Sequence, residues 1–559
     1  MGKSPRLGLG IIVAGVLALT ACRSTPPAAA PSTTPSGVPT SSPAVRSVAG
    51  INQTPRDQLT RGGELRLGVV DWTEDWNPWT LAPTPQLDIV LAALRPEFFD
   101  VSPAGVLTAD PDWLSGQPEV SHAPVTSVTY RLNPLARWGD GQPMTADDFA
   151  ATWQACAAPD GPCRDRAAFA HVTDVAAGPT AHDVVVTYDR VEADWATTFR
   201  YGPARAGSLT QPWTDPAATP GWFAGPFRVR SLDRAGRHLT LEPNPWWPGD
   251  KPVLSSVTIT AYPADDLAPA SAAGVIDAWP VDLDPGRYTA AATDNLLQLR
   301  RTPSDRWRVL LLGQTGPLKD RLLRQALLQG LDRARVGQAD LPGIDWTPAT
   351  LDHLAWQPGQ ADYADLAETT SLGFDPAAAA TTLDQAGWTL TAGQRRNLAG
   401  APLHLTFLVD PRDPLSESEG LQVAAQLATL GVTVDVARPD SPQTYAAALS
   451  SGGFDLTSQT WRNDLRPAAD LAGRLASDGP ANVSGYADRA VDQLLAQAAT
   501  AVDPERHVTL LADAAAILWT DVAAIPLYVV PETWATLPKL ANFGPTGLAS
   551  QRWQDVGFA

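Results

Sequence analysis

Residues 138–149 read WGDGQPMTADDF, and residues 225–247 read GPFRVRSLDRAGRHLTLEPNPWW. In the first stretch, Thr145 is suited to cap a helix that follows it, with an acidic residue three positions further on. In the second stretch, the alternating segments 227–229 and 239–241 predict two strands separated by a polar turn. Neither stretch contains a catalytic motif, so together they predict a mixed fold and no particular chemistry.

The length and composition indicate a large, acidic globular protein. The chain has 559 residues, 44% of them hydrophobic, with 20 tryptophans, so more than one lobe is expected. The formal charge of -19 argues against nucleic-acid binding and against electrostatic docking on an anionic membrane. The simplest interpretation is that the acidity keeps an exported protein soluble.

The N-terminus has the pattern of a lipoprotein signal peptide over residues 1–22. Lys3 and Arg6 precede the apolar run 7–21, which is too short to span a bilayer comfortably. The run ends in Leu-Thr-Ala before Cys22, whose thiol would carry the lipid. The alternative is an ordinary signal peptide with an incidental cysteine.

The next segment, residues 23–61, is rich in Pro, Ala, Ser and Thr. Such a composition buries too little apolar surface to fold, so we expect a disordered tether between the lipid and the folded part. No other segment has the pattern of a transmembrane helix.

Two cysteines remain, Cys156 and Cys163, separated by turn residues. In an exported protein such a pair favours a disulfide, with free thiols as the alternative. A metal site is disfavoured, because no histidine flanks the pair closely.

The second half of the chain alternates strands and helices, which predicts an α/β lobe with its site at the carboxyl ends of the strands. The predicted strands are 403–409, 432–436 and 454–460, and the predicted helices between them are 417–430 and 443–449.

Signatures of catalysis are absent from the sequence. The seven histidines are scattered, and there is no HExxH, GxSxG, P-loop or GxGxxG motif. We therefore expect no catalytic residues, no metal site and no cofactor. A hydrolase without a local signature stays open as an alternative.

Aromatic and polar residues mark where a cleft would lie. Trp76 and Trp79 follow the first strand, the segment 461–467 follows the strand at 454–460, and the segment 482–486 precedes a helix. Tryptophan and tyrosine offer large, stiff contact surfaces. For each aromatic residue, the alternative is a place in the core.

The ordered series of short segments resembles the family 5 extracellular solute-binding proteins, which are the oligopeptide- and dipeptide-binding lipoproteins of ABC importers. The resemblance runs from about residue 62 to the C-terminus. Besides the two opening stretches, it rests on segments 110–114, 274–277, 321–333, 384–387, 485–488 and 525–527.

The sequence departs from the family pattern at three points. Pro243 stands where the family usually has arginine, Phe227 replaces tyrosine, and 311–315 lacks the usual asparagine. The high Ala, Pro and Trp content with few lysines suggests an actinobacterial genome. Some relatives there have other ligands or cell-envelope roles.

The resemblance implies an α/β, two-lobed periplasmic-binding-protein-like fold of type II with an extra subdomain and a hinge between the lobes. It implies that lobe I comprises 62–95, 222–305 and 525–559, that the extra subdomain is 96–221, and that lobe II is 306–524.

The resemblance also implies site residues. Asp464 would pair with the α-amino group of a peptide, and Trp461 would stack on the ligand or contact its backbone. Arg462 or Arg466 would pair a carboxylate, unless it is simply solvated. Four further residues would line the cleft: Trp76, Gln314, Asn482 and Tyr486.

Three functions follow as hypotheses. The first is a monomeric, lipid-anchored receptor that captures short peptides or a similar small solute outside the cytoplasm and delivers them to an ABC permease. The second is a non-transport envelope lipoprotein, a scaffold or regulator that binds a glycolipid or a protein on the same fold. The third is an enzyme.

Overall fold

The computed structural model describes residues 50–80 and 84–559. The strands in this part of the chain are β1 (Glu64–Val69), β2 (Phe99–Val101), β3 (Leu107–Ala109), β4 (Glu119–Ser121), β5 (Ser127–Arg131), β6 (Val172–Ala177), β7 (Asp183–Tyr188), β8 (Phe227–Asp233), β9 (His238–Pro243), β10 (Ser256–Ala261), β11 (Ala278–Pro280), β12 (Gln298–Leu312), β13 (Thr389–Thr391), β14 (Gln394–Arg396), β15 (His404–Leu408), β16 (Thr433–Ala437), β17 (Leu456–Arg462), β18 (Ala524–Thr536), β19 (Leu540–Ala541) and β20 (Gly557–Phe558). The α-helices there are α1 (Pro85–Ala92), α2 (Ala146–Ala157), α3 (Leu267–Ala272), α4 (Pro285–Thr293), α5 (Arg321–Gly330), α6 (Arg333–Asp340), α7 (Leu366–Thr370), α8 (Pro376–Gln385), α9 (Ser416–Ala428), α10 (Pro442–Ser450), α11 (Pro467–Leu475), α12 (Arg489–Thr500) and α13 (Pro504–Asp521).

One ten-stranded sheet organises the molecule, in the order β16-β15-β17-β12-β18-β11-β1-β10-β9-β8. The two strands predicted at 227–229 and 239–241 form an antiparallel hairpin at one edge of it. At the other end, β15 pairs in parallel with both β16 and β17. The carboxyl ends of these three strands therefore lie at one edge, where the sequence predicts a site.

Two long strands, β12 and β18, pair antiparallel in the middle of this sheet and connect its two halves. We call the half with β11, β1 and β8–β10 lobe I and the half with β15–β17 lobe II. The register slips after the pair Pro303–Pro531, so residues 304–306 leave the ladder with β18. Such a bulge bends the strand and re-aims its side chains.

A four-stranded sheet, β4-β5-β7-β6, packs with α2 as an extra subdomain on lobe I. Helix α2 begins with a capping box between Thr145 and Asp148. The Asp148 carboxylate also accepts hydrogen bonds from Trp138 Nε1, at 3.1 Å, and from the Ala206 N–H, at 2.9 Å. These bonds explain the WGDGQPMTADDF stretch, because its first tryptophan and its penultimate aspartate bind each other across the turn.

Much of the tryptophan in the chain is core. Eight tryptophans are almost fully buried: Trp76, Trp113, Trp138, Trp213, Trp279, Trp519, Trp534 and Trp553. Separate buried clusters fill lobe I, the extra subdomain and lobe II. The packing needs of several lobes thus account for the aromatic content.

The predicted tether is too long at its C-terminal end. Residues 50–61 lie on the fold: the Gly50 N–H donates to Pro545 O at 2.8 Å, the Thr54 N–H donates to Asn542 Oδ1 at 2.8 Å, and Leu59 is buried. This segment is ordered because the C-terminal chain satisfies its backbone groups. Residues 1–49, including Cys22, lie outside the described residues. Within the described ranges, no helix is long and apolar enough to cross a membrane.

Candidate ligand-binding cleft

A cavity of about 530 Å³ lies between the lobes. Lobe I and its subdomain supply α1, the disulfide loop at 163–165, residues 197–201 and the C-terminal loop 546–551. Lobe II supplies Arg462 at the end of β17 and the loop 463–466 that follows it, and the crossing strands supply the bulge at 305–306 together with Glu532. The position of the cavity agrees with the site predicted at the carboxyl end of the last strand.

Charged side chains of both signs line this cavity. The arginines are Arg95, Arg164, Arg200, Arg306, Arg462 and Arg466. The acids are Asp88, Glu97, Asp165, Asp305, Asp464 and Glu532. Trp79, Phe169 and Tyr201 add aromatic surface. This composition suits a polar ligand that carries charges and some apolar area.

Several of these charges neutralise one another. Buried Arg95 pairs with Asp88 at 2.5 Å and with Glu97 at 3.0 Å. Burial acts to raise the pKa of Asp88, but the charges of Arg95 and Arg462 outweigh it and hold that pKa well below its ordinary value. Asp88 therefore stays ionised in the cavity lining.

Arg462, at the carboxyl end of β17, and Arg466, in the loop after β17, each make an ion pair across the cleft. Arg462 pairs with Asp305 at 2.5 Å and reaches Asp88 of lobe I at 3.5 Å. Arg466 pairs with Asp165 of the disulfide loop at 2.8 Å. In this structure, ion pairs across the cleft therefore link the two lobes.

Three of the residues that the resemblance implies for the site line the cavity, Asp464, Arg462 and Arg466. Asp464 is exposed, and no hydrogen bond to its carboxylate is seen among the described residues. Its N–H donates to Asp470 Oδ2 at 3.4 Å. Burial, and then the negative charge of Asp464, raise the pKa of Asp470 to about 6. Asp464 and Asp470 therefore place two carboxyl groups close together.

The loop that carries Asp464 is firmly held. Asn463 donates from Nδ2 to Gln360 Oε1 at 2.9 Å and accepts the Leu465 N–H at 3.0 Å. Leu465 has a left-handed backbone, with φ of 61°. A leucine persists in that conformation only when its surroundings fix it, and such residues cluster at ligand sites.

Two predicted aromatic contacts lie in the core instead of the cavity. Trp461 is 6% exposed and packs edge-on against Trp307, with ring centroids 6.5 Å apart. Trp76 is 1% exposed and packs against Trp72. The side chain of Trp461 points away because alternate residues of a strand face opposite sides of the sheet.

Three further predicted residues support loops outside the cavity lining. Tyr486 is buried, and its hydroxyl donates to Asp521 at 3.0 Å. Asn482 donates from Nδ2 to the carbonyls of Ala476 and Tyr486, each at 2.8 Å. The N–H of Gln314 donates to Ser484 O at 2.7 Å. Tyr486 and Asn482 therefore hold loops in place through their side chains, whereas Gln314 does so through its backbone and its Nε2 is buried without a hydrogen-bond partner among the described residues.

The cysteine pair is a disulfide, with its Cα atoms 5.0 Å apart. Cys156 lies in the last turn of α2, and Cys163 lines the cavity beside Arg164 and Asp165. The bridge therefore fixes a cavity wall to a helix.

Sequence reasoning did not find Arg95, Arg200, Tyr201 or Glu532. No local pattern marks them, because each reaches the cavity through the packing of distant segments. Trp79, which the sequence placed near a cleft, does line it.

Residues 117–482 match the family model described as bacterial extracellular solute-binding proteins, family 5 Middle. The chain is similar to the oligopeptide-binding protein OppA of Mycobacterium tuberculosis, with 30% identity over 532 residues, covering 92% of this chain and 88% of OppA. Its structure resembles the periplasmic EDTA-binding protein EppA, with a TM-score of 0.77 and 24% identity over 91% of this chain and 98% of that one. It also resembles the oligopeptide-binding protein AppA of Bacillus subtilis, solved with a nonapeptide, with a TM-score of 0.67 and 16% identity over 90% and 100% of the two chains.

Proposed function

The chain belongs to the bacterial extracellular solute-binding proteins of family 5, the substrate-binding proteins of ABC importers, and we propose that it captures short peptides between its lobes and delivers them to a membrane permease. The name of the mycobacterial relative favours a peptide ligand. The observation that carries the proposal is the cavity of about 530 Å³ with the free carboxylate of Asp464 at its wall.

Asp464 is the proposed anchor for the peptide amino group. Asp464 lies two residues beyond the carboxyl end of β17. The hydrogen bond between Asn463 and Leu465 holds its loop, and Asp470 lies beside it. A charge-assisted hydrogen bond to an ammonium group is stronger than one between neutral groups. The other acids that line the lobe I wall, Asp88, Glu97 and Asp165, are already paired with arginine.

The remaining cavity surface suits varied side chains. Its volume lies within the range of small-ligand sites, and its polar groups can hold bridging waters. Closure about the bulge in β12 would bury the peptide from both sides. We propose no chemical step on the ligand.

The ligand is identified by native purification of the full-length protein, acid release and mass spectrometry. A mixture of short-peptide masses is expected. A single non-peptide species would redirect the function to that compound, and an empty cleft would shift weight to an envelope scaffold.

The anchor is tested by calorimetry with an enriched peptide. Replacing Asp464→Ala is expected to weaken binding at least about tenfold, because a charge-assisted bond is lost. Asp513→Ala, at an exposed position on α13 outside the cavity, is the control. Equal affinity of the Asp464→Ala protein and the parent would remove Asp464 from this role.

We further propose that the protein is held at the outer face of the cell membrane by lipid on Cys22. Cys22→Ser is expected to abolish incorporation of labelled fatty acid and to release the protein from membranes. Retention of the label in this variant would contradict the anchor.

A further inference from the structure

We propose that Arg200 and Arg164 form a carboxylate-binding site on the lobe I side of the cavity, so that the protein selects peptides whose terminal carboxylate is free. This inference rests on the proposed function and adds the second charged end of the ligand. It follows from which cavity arginines are already neutralised and which are not.

Three of the six cavity arginines are committed to acids of the protein. Arg95 pairs with Asp88 and Glu97, Arg462 with Asp305, and Arg466 with Asp165. Their guanidinium groups already pair with carboxylates of the protein. We therefore assign the ligand-carboxylate role predicted for Arg462 or Arg466 to other residues. The Nε of Arg306 is also buried without a hydrogen-bond partner among the described residues, but Arg306 is partly neutralised, because that Nε lies 3.9 Å from Asp305 and its charge acts on nearby Glu532.

Arg200 has no ion pair among residues 50–80 and 84–559, and its Nε is buried without a hydrogen-bond partner there. A buried donor without a partner is costly unless a ligand satisfies it. The Cζ of Arg200 lies 4.9 Å from the centre of the Tyr201 ring, over which Arg95 also lies, at 4.1 Å. Stacking on an aromatic ring orients the guanidinium fork, which can bind a carboxylate through two parallel hydrogen bonds.

Arg164 supplies a second cation. It follows Cys163, so the disulfide fixes its backbone at the cavity wall. Its side chain is exposed and makes no ion pair within the described part of the chain, and its charge acts only as a minor contribution on Asp88. Two cations close to one cavity wall would attract a carboxylate despite the formal charge of -19 on the whole protein.

The two proposed anchors lie on different lobes. Asp464 belongs to lobe II, whereas Arg164 and Arg200 belong to the extra subdomain of lobe I. A zwitterionic ligand would therefore bridge the lobes, with its ammonium on one and its carboxylate on the other. A peptide amide or ester would lose the second anchor.

The test offers the ligand-free full-length protein three probe pools at equal concentration. These are tetrapeptides of random sequence with free carboxylates, the same sequences as C-terminal amides, and small polycarboxylates including citrate and EDTA. Retained molecules are released by acid and quantified by mass spectrometry. The variants are Arg200→Gln, Arg200→Lys and Arg164→Gln. Arg166→Gln is the matched control, because Arg166 is exposed near Arg164 but outside the cavity lining.

The parent and Arg166→Gln are expected to retain free acids about tenfold more than amides. Arg200→Gln removes that preference, and Arg164→Gln and Arg200→Lys reduce it, which keeps the proposal testable if Arg200→Gln fails to fold. Equal retention of acids and amides by the parent, or an unchanged preference in the folded variants, overturns the carboxylate site and leaves peptide capture intact. Polycarboxylates retained alone, in an Arg200-dependent way, support the site and overturn peptide capture. Retention of no probe overturns both.

Discussion

Glu532 is a partly buried acid at the cavity wall whose protonation affects stability. Burial raises the pKa of Glu532 to about 7, although Trp534 Nε1 donates a hydrogen bond to it at 2.9 Å. In the unfolded chain a glutamate titrates near 4.3. The folded state therefore holds a proton that the unfolded state has already lost between about pH 4.5 and 7, and stability falls as pH rises through that window.

Glu532→Gln is expected to remove this part of the pH dependence. The neutral amide keeps an acceptor for Trp534, so at pH 8 the variant should be more stable than the parent by on the order of 2 kcal/mol, and at pH 4.5 nearly equal. Thermal unfolding at both pH values measures the difference in stability between the variant and the parent. Glu74→Gln, in an exposed loop, is the control. A stability difference that is the same at pH 4.5 and pH 8 would contradict the assignment.

At the same scale, Asp464, Arg462 and Arg466 line the cavity, and their roles towards a ligand stay predictions. The roles of Asp464 and Arg462 were predicted from the resemblance of the segment 461–467 to a loop of the family. For Trp461, on β17, the sequence left ligand contact and a place in the core as alternatives, since only the register of β17 against β12 decides which side it faces. The free or paired state of an arginine depends on contacts with distant segments, which no local pattern encodes.

At the scale of elements, the disulfide loop joins a helix to the cavity wall. Cys156 lies in the last turn of α2, and Cys163 precedes Arg164 and Asp165, which face the ligand space. The bridge closes a short loop, with a sequence separation of 7. Its contribution to folding stability is accordingly modest, about 2 kcal/mol.

Replacing both cysteines by serine should affect binding as well as stability. Freed of the bridge, Arg164 and Asp165 must be ordered by the ligand, which costs about threefold to tenfold in affinity for a free-acid peptide. Calorimetry on the variant and on the reduced parent measures it. The two proteins should agree, and a melting temperature that falls while the affinity stays unchanged would show that the bridge serves folding alone.

Element prediction failed most clearly at β12. This fifteen-residue strand was not predicted because Pro303 and five charged residues break its alternation. It is a strand nonetheless, because β17 and β18 pair with it on both sides. By contrast, β15, α9, β16 and α10 were predicted to within a few residues, since their apolar periodicity and caps are local.

At the scale of the whole molecule, the two-lobed fold was predictable because the sequence segments that identify it form local structures and occur in a fixed order. The Trp138–Asp148 bond and the hairpin of β8 and β9 are examples. The relation between the lobes was not predictable, since it depends on contacts such as Arg466–Asp165, whose two residues are 301 positions apart in sequence.

That ion pair is expected to bias the ligand-free protein towards the closed arrangement of the lobes. Asp165 is 47% exposed, so the pair is worth at most about 1 kcal/mol. Arg466→Gln should therefore enlarge the radius of gyration of the ligand-free protein in solution scattering and weaken peptide binding by up to about fivefold, because a smaller closed population lowers the apparent affinity. Saturating peptide should restore the compact radius.

Arg131→Gln removes an exposed ion pair within the subdomain and should change neither quantity. If the two variants scatter alike, the closed arrangement is maintained by other contacts, such as the Ala193 N–H to Ala499 O bond at 3.0 Å, and the charges across the opening act on the ligand alone.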